Sequence, residues 1–270
     1  IANSEYIMKK PVVIKIGGAI LDGYNQGNTS ALTALLKVIA SLDEQPVVIV
    51  HGGGCVVDEM LSQAGLVTEK KNGLRVTPKA HMPIISGALA GSVNKAIVAT
   101  AASLQLPAVG LSLTDGQMVQ CQLSPLQLGQ VGEPKPYSSA LLDTLLKANF
   151  LPIVSSIGAL ANGELVNVNA DDAAVAVCQL LNAELLLLTD VNGVKGTTGE
   201  YLTSLNNQQA KQLIDSGVIA GGMTAKVNAA LQAANKLRRS IAVASWQSPE
   251  QIVDLLNGVN IGTRIQPDGC

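Results

Sequence analysis

Ten residues near the start of the chain, VVIKIGGAIL (12–21), carry an apolar strand through Lys15 and into Gly17 and Gly18. A second apolar run, VVIV (47–50), leads straight into HGGGCVVDEML (51–61), where Gly52, Gly53 and Gly54 open a helical pattern. Two glycine-rich turns leaving two strands, one preceded by a lysine, suit the binding of phosphate groups. Amides at a helix start lack partners and the helix dipole adds partial positive charge there. Glycine lets an anion come close to that backbone. Taken alone, Gly17-Gly18 reads as an ordinary strand-exit turn, and Lys15 as a solvated strand-end lysine. The GGG triplet is harder to explain that way, because a turn needs one or two residues at positive φ, not three.

Other phosphate and glycine motifs do not fit. No G-x-x-x-x-G-K-[ST] occurs, and Val57 stands where the third glycine of G-x-G-x-x-G belongs, which leaves dinucleotide binding a weak alternative. HGGG also shapes esterase oxyanion holes, but the chain has no G-x-S-x-G to supply the nucleophile.

Four further segments carry polar groups. TEKKNGLRVTP (68–78) has a hairpin-type Asn72-Gly73 turn with Lys70, Lys71 and Arg75 on its arms. It reads either as a solvated basic hairpin or as a carboxylate site, arginine's planar fork suiting a carboxylate bidentately. In GELVNVNADDAA (163–174), Asn167, Asn169 and Asp171 alternate at period two before a helix begins, which puts them on one side. Helix capping accounts for one of these three, not for all in register. LLLLTDVNGVKG (185–196) is an apolar strand ending on Thr189 and Asp190, a place for a nucleotide's ribose or base or for a loop cap. GGMTAKVNAA (221–230) places Lys226 about one turn into a helix opened by glycines. A cation there opposes the helix dipole, a conflict that a bound anion removes.

The elements that hold these groups read as α/β. Apolar residues make up 47% of the 270, carried by Ala, Val, Ile and Leu. Strands are expected at 11–16, 47–50, 107–111, 151–155, 184–189 and 241–245. Helical patterns lie near 29–42, 54–65, 79–104, 138–148, 171–181, 206–216, 222–237 and 248–257. Such alternation predicts a mostly parallel, doubly wound sheet with ligands at the carboxyl ends of the strands. Turn-rich inserts at 66–77, 115–136 and 159–168 read as rim hairpins, and two lobes divide near residue 181.

Composition narrows the partners. A net charge of −2 gives nucleic acid and anionic membranes no support. Residues 96–114 carry no charge, but Pro107 divides them into a helix end and a strand start, so a core segment is expected and not a membrane span. No signal-type segment opens the chain, and residues 1–7 are set aside because it starts at Ile1. Cys55, Cys121, Cys178 and Cys270 are scattered without C-x-x-C spacing and only two histidines occur, so no metal site is expected. Cys55 reads as packing.

Together, IKIGG, HGGGCVVDEM, KKNGLRVTP, ISGALAG, NVNADDAA, LLTDVNGV and GGMTAKVNAA resemble the amino acid kinase family, in order from about Val12 to Arg264. Within it, KKNGLRVT with NVNAD resembles the branch that phosphorylates N-acetyl-L-glutamate in arginine biosynthesis. The resemblance implies an open αβα sandwich with two lobes: 1–181 holding the acylamino-acid substrate and a dimer interface, 182–270 holding ATP. It implies that Lys15 contacts the transferring γ-phosphoryl, Lys226 the oxygens between the β- and γ-phosphates, and that Asp171 holds both lysines. Gly17 and Gly18 would face the nucleotide. Gly18, Gly53 and Gly54 would donate amides to phosphoryl oxygens and the acceptor carboxylate. Arg75 and Asn167 would grip acetylglutamate, with Asn169 nearby and Asp190 at the nucleotide.

The same resemblance implies a cytoplasmic enzyme using ATP, with Mg²⁺ carried on the nucleotide. It also implies a homodimer joined along the 79–104 helix through Ser86, Gly87, Ala88, Ala90, Gly91 and Ser92. Arginine-inhibited members carry an extra N-terminal helix, for which IANSEYIMKKP has no room; an arginine-insensitive dimer is therefore expected. The alternatives are a kinase acting on another amino acid, carbamate or UMP, and a catalytically silent nucleotide sensor of the same fold.

Overall fold

The computed structural model of the chain describes residues 9–21, 29–42, 44–71 and 73–269. Residues 1–8, Asn72 and Cys270, which enter the expectations about the N-terminal segment, the hairpin tip and the cysteines, lie outside the described residues.

Strands run β1 (Val12–Ile16), β2 (Val47–His51), β3 (Glu69–Lys71), β4 (Leu74–Val76), β5 (Ala108–Ser112), β6 (Val119–Leu123) and β7 (Val131–Pro136). They continue with β8 (Leu151–Ser155), β9 (Ile157–Ala159), β10 (Leu165–Val168), β11 (Glu184–Thr189), β12 (Ser204–Leu205), β13 (Ile241–Ser245) and β14 (Thr263–Ile265). Helices are α1 (Ser30–Ala40), α2 (Gly54–Gln63), α3 (Met82–Ser86), α4 (Asn94–Ser103) and α5 (Ala140–Lys147). After them come α6 (Ala170–Leu181), α7 (Asn207–Asp215), α8 (Gly222–Leu237) and α9 (Gln251–Leu256).

Eight strands form one sheet in the order β12-β14-β13-β11-β1-β2-β8-β5, parallel except where β14 meets β13. All six strands expected from the apolar runs lie in it. Successive residues of a strand face opposite sides, and the two cores follow from that parity. Val13, Val48, Leu185, Leu187 and Val243 pack with α5, α6 and α8 on one face. Ile14, Ile16, Ile49, Leu186 and Leu188 pack with α1, α2, α3, α4 and α9 on the other. The sheet is continuous across residue 181, since β1 pairs in register with β11, Ile16 opposite Leu188.

The inserts add smaller sheets. β3 and β4 form the expected hairpin, and Gly73, at φ +80°, supplies the positive φ that its two-residue turn requires. The other two inserts join: hairpins β6–β7 and β9–β10 meet through a parallel β7–β10 pair in one four-stranded sheet.

The 79–104 helix is one helix, Lys79–Ser103, but a π turn at Gly87–Val93 interrupts it between α3 and α4. This helix is long and apolar enough to cross a membrane by length and composition; here its buried side packs into the core beneath the sheet. Of the small residues expected at a dimer interface, Ala88 is buried inside the chain, whereas Gly87 and Ser92 are exposed. Within the π turn Ala88, Leu89 and Val93 are all buried. Pro107 lies between α4 and β5 as expected.

A buried polar layer closes the carboxyl end of the sheet on the α4 side. His51 and Ser155 lie opposite each other on β2 and β8, and Asn94 of α4 reaches His51 and the Ile153 carbonyl; all three polar side chains are fully buried. Burial pushes the His51 imidazole down to about 4; the Gly52 carbonyl opposes that and the Lys95 ammonium adds to it. A histidine near 6.5 when unfolded and near 4 when folded costs stability on acidification. The contribution is full above pH 6.5 and is lost as pH falls towards 4, because the unfolded chain takes up the proton first. About 3 kcal/mol of stability is expected to disappear across that window, read as a falling urea midpoint, and His51→Leu is expected to flatten that part of the profile.

Candidate active site

Three sheet strands and one strand of the smaller sheet end around a cleft of about 200 Å³. Lys15, Gly52, Gly53, Gly54, Arg75, Asn167, Asn169 and Asp171 all line it. The structure therefore gathers, from four separate segments, most of the residues singled out in the sequence.

Lys15 shares the parity of Val13, so β1 sends it to the α6 face, where its Nζ meets Asp171 Oδ1 at 2.8 Å. Asp171 lies in the first turn of α6, a favourable place for a carboxylate. Gly17 follows at once: a Cβ there would stand 3.9 Å from Lys15 Nζ, and Gly18 begins a short 3₁₀ turn, Gly18–Leu21. Gly53 must be glycine for a different reason. A Cβ at that position would press on Leu89 Cδ2 and Val93 Cγ2, both at 3.0 Å, from the π turn.

Asn167, Asn169 and Asp171 do face one way, and the structure separates their duties. Asn169 caps α6, its Oδ1 accepting from the Asp171 amide at 2.8 Å, so capping explains one of the three. Asn167 donates through Nδ2 to Thr77 Oγ1 at 3.3 Å. Thr77 is fully buried just past β4 and ties the hairpin to β10.

The basic hairpin is not solvated throughout. Lys70 and Arg75 are directly paired across β3 and β4, a repulsive arrangement of like charges. Asp58 of α2 resolves it: Arg75 Nη1 donates to Oδ1 at 2.5 Å and Lys70 Nζ to Oδ2 at 3.2 Å. Burial pushes the Asp58 carboxyl up, but the hydrogen bonds from Arg75, Thr68 and Lys70 outweigh it and hold the group below its usual range. Arg75 also donates to Thr68 Oγ1 at 3.1 Å and to the Gly54 carbonyl at 3.2 Å. With Nη1 spent and one Nη2 proton used, the Nε–H and the other Nη2–H remain for a ligand. The sequence reading missed Asp58, yet the signal was present. It lies four residues after Gly54, one helical turn along the same face.

Lys226 departs from the expectation. Asp171 does not hold it; its ion pair is with Asp190, which β11 delivers to the start of α8. The hydrogen bond from Lys226 holds the Asp190 carboxyl below its usual range. Asp190 thus supplies the negative charge that a lysine near a helix start needs. β1 and β11 are neighbours with Ile16 opposite Leu188, so Lys15 and Asp190, one from each ion pair, stand near the ends of adjacent strands. Among the described residues, no group of three or more His, Cys, Asp or Glu side chains is placed to hold a metal ion.

Among the described residues, the cleft is lined by Lys15, Arg75 and the Gly52–Gly54 turn, and the carboxylate in its wall, Asp171, is paired with Lys15. Such a site fits two anions brought face to face. The amino acid kinase family model matches residues 10–245. The acetylglutamate kinase of Colwellia psychrerythraea is 71% identical over 259 residues, covering 96% of this chain and 98% of that one. The acetylglutamate kinase of Yersinia pestis (strain Pestoides F) is 48% identical over 258 residues, covering 96% and 99%. Among solved structures, the Streptococcus mutans UA159 protein smu.665 superposes with a TM-score of 0.73 at 27% identity, covering 94% of this chain and 98% of that one.

Proposed function

Because the chain belongs to the amino acid kinase family, we propose that it transfers the γ-phosphoryl group of ATP to the side-chain carboxylate of N-acetyl-L-glutamate, forming the acyl phosphate used in arginine biosynthesis. The observation that carries this reading is the meeting of Lys15–Asp171, the Gly52–Gly54 turn, Arg75 and Asn167 in one cleft, together with relatives of that activity over nearly the full chain.

The chemistry needs no proton acceptor. The γ-carboxylate, with an ordinary pKa near 4, is already ionised at neutral pH. One of its oxygens forms a bond to the γ-phosphorus while the bond from phosphorus to the β–γ bridging oxygen breaks, and ADP leaves with that electron pair. The obstacle is charge. Two like unit charges at ~4 Å repel by about 1 kcal/mol in water and about 4 kcal/mol at an effective dielectric near 20. Lys15 stabilises the transferring group, Lys226 the leaving oxygen, and the Gly18, Gly53 and Gly54 amides the charge that spreads over the phosphoryl oxygens. Asp171 holds Lys15 in line, and Asp190 releases Lys226 to the nucleotide. Arg75 takes the α-carboxylate through its remaining Nε–H and Nη2–H, and Asn167 meets the amide group, with Asn169 fixing the α6 end beside them. Donors of this cationic kind suit phosphate oxygens and not a metal, so Mg²⁺ enters on the nucleotide; when bound it neutralises the phosphate charge.

The N-terminal part to residue 181 holds the acceptor and the part from 182 holds ATP, with Gly17 and Gly18 between them. The enzyme works in the cytoplasm as a homodimer, its copies meeting along Lys79–Ser103 through Gly87, Gly91 and Ser92. A solution mass of one chain would reject that assembly.

Mg-ATP-dependent ADP release with acetylglutamate, glutamate, aspartate, carbamate and UMP tests the reaction: turnover is expected with acetylglutamate alone. Turnover with a different acceptor, or none with tight ATP binding, would give the site to another kinase or to a nucleotide sensor. Asp58 acts on this acceptor through Arg75. Asp58→Asn is expected to raise KM for acetylglutamate about tenfold with kcat little changed, the signature of lost ground-state binding.

A further inference from the structure

His51 touches no ligand site, yet it sits directly beneath the glycine turn. The Gly52 carbonyl lies 2.8 Å from His51 Nδ1. A carbonyl only accepts, so Nδ1 carries the proton and Nε2 presents a lone pair. That lone pair accepts from Asn94 Nδ2 at 3.0 Å. Asn94 is anchored in turn: its amide donates to the Ile153 carbonyl at 2.8 Å, and its Oδ1 accepts from Lys95 Nζ at 3.0 Å. The tautomer of His51 and the orientation of Asn94 are therefore fixed by partners on β8 and α4.

The consequence lies in the next peptide bond. Among the described residues no peptide is cis, and in a planar trans peptide C=O and N–H point in opposite directions. Drawing the Gly52 carbonyl down to the buried imidazole turns the Gly53 N–H up. Gly52, Gly53 and Gly54 line the cleft, whereas His51 is fully buried and does not. Leu89 and Val93 close the other side of Gly53.

We propose that His51, locked by Asn94, is a positioning residue that orients the Gly52–Gly53 peptide so that the Gly53 amide is presented to the transferring phosphoryl group. The proposal rests on the phosphoryl-transfer reading for its effect on rate, but not for its geometry. Burial keeps the ring neutral at working pH, so a single tautomer serves throughout.

Three variants separate positioning from mere packing. His51→Asn keeps an amide donor near Nδ1 and gives up Asn94. His51→Gln keeps a group near Nε2 and leaves the Gly52 carbonyl without its donor. His51→Leu fills the space with neither. His51→Gln and His51→Leu are expected to lose about 10²-fold in kcat, the scale of one preorganised donor, with KM for both substrates within a few-fold. His51→Asn is expected to stay within about tenfold of the parent, although the thermal midpoints of all three fall. Activity that follows the thermal midpoint, with His51→Asn as impaired as His51→Gln, would overturn the proposal. Amide exchange at Gly53 reads the peptide orientation without turnover: fast in the parent and His51→Asn, about tenfold slower in the other two. Equal exchange in all four also overturns it. If the parent turns over none of the acceptors, the kinase reading fails and the exchange rates still decide the geometry.

Discussion

Lys226→Ala is expected to lower kcat by roughly 10²–10³, and the effect should fall on kcat more than on either KM. The leaving ADP oxygen gains negative charge as the β–γ bond breaks, and a cation beside it is worth most at that moment. Lys226 stands in the first turns of α8, beside the end of β11 and one strand over from Lys15. It is held there by Asp190, not by Asp171. Both members of that pair are two-fifths or more exposed, 40% for Lys226 and 45% for Asp190. Breaking the pair therefore costs the fold little, and the loss should appear in rate with the thermal midpoint nearly unchanged. Pre-steady-state ADP release separates the chemical step from product release. A variant within a few-fold of the parent would take Lys226 out of the mechanism and leave it a surface ion pair.

Arg75→Lys is expected to act on binding instead, raising KM for acetylglutamate by about 10–100-fold, with a smaller change in kcat. Arg75 spends three N–H donors on Asp58, Thr68 and Gly54, which set its plane, and has two left for a carboxylate. A lysine offers one rotatable ammonium in place of a fork. It can satisfy Asp58 or the substrate well, but not both. The side chain is only 10% exposed, so leaving Asp58 underpaired should also lower the thermal midpoint. Titration with acetylglutamate in the absence of ATP gives the dissociation constant directly. An unchanged constant would mean that Arg75 serves the hairpin alone.

The two effects differ because the residues answer to different charges. In the proposed reaction Arg75 would face a carboxylate present before, during and after transfer, so its contribution would be largely uniform binding. Lys226 would face charge that develops only as the phosphate bond breaks. The Asp58 and His51 variants follow the same division, one acting through Arg75 on binding and the other through a backbone amide on rate.

The sequence by itself determined the frame. Short runs of Val, Ile and Leu alternating with helical patterns allow little besides a parallel sheet covered on both faces, because residues alternating across a strand must be apolar on both sides to be buried twice. The glycine turns after β1 and β2, the Asn-Gly hairpin and the NVNAD strand-to-helix junction were all legible for the same reason: each is a local backbone requirement written in a few adjacent residues. β12 and β14 were not, since Ser204–Leu205 and Thr263–Ile265 are too short to show a period.

What the tertiary structure alone decided is which charge meets which. Asp171 and Asp190 lie 19 residues apart, and each meets a lysine far from it in sequence; only the β1–β11 register and the start of α8 assign Lys15 to one and Lys226 to the other. Asp58 and Arg75 are 17 residues apart on a helix and a hairpin, and no local pattern couples them. The His51–Asn94 contact spans 43 residues, through a π turn that no periodicity announces. Local propensity is set by neighbours along the chain, whereas ion pairs and buried hydrogen bonds are set by distance in space. Their partners appear only once the sheet order has brought the strand ends together.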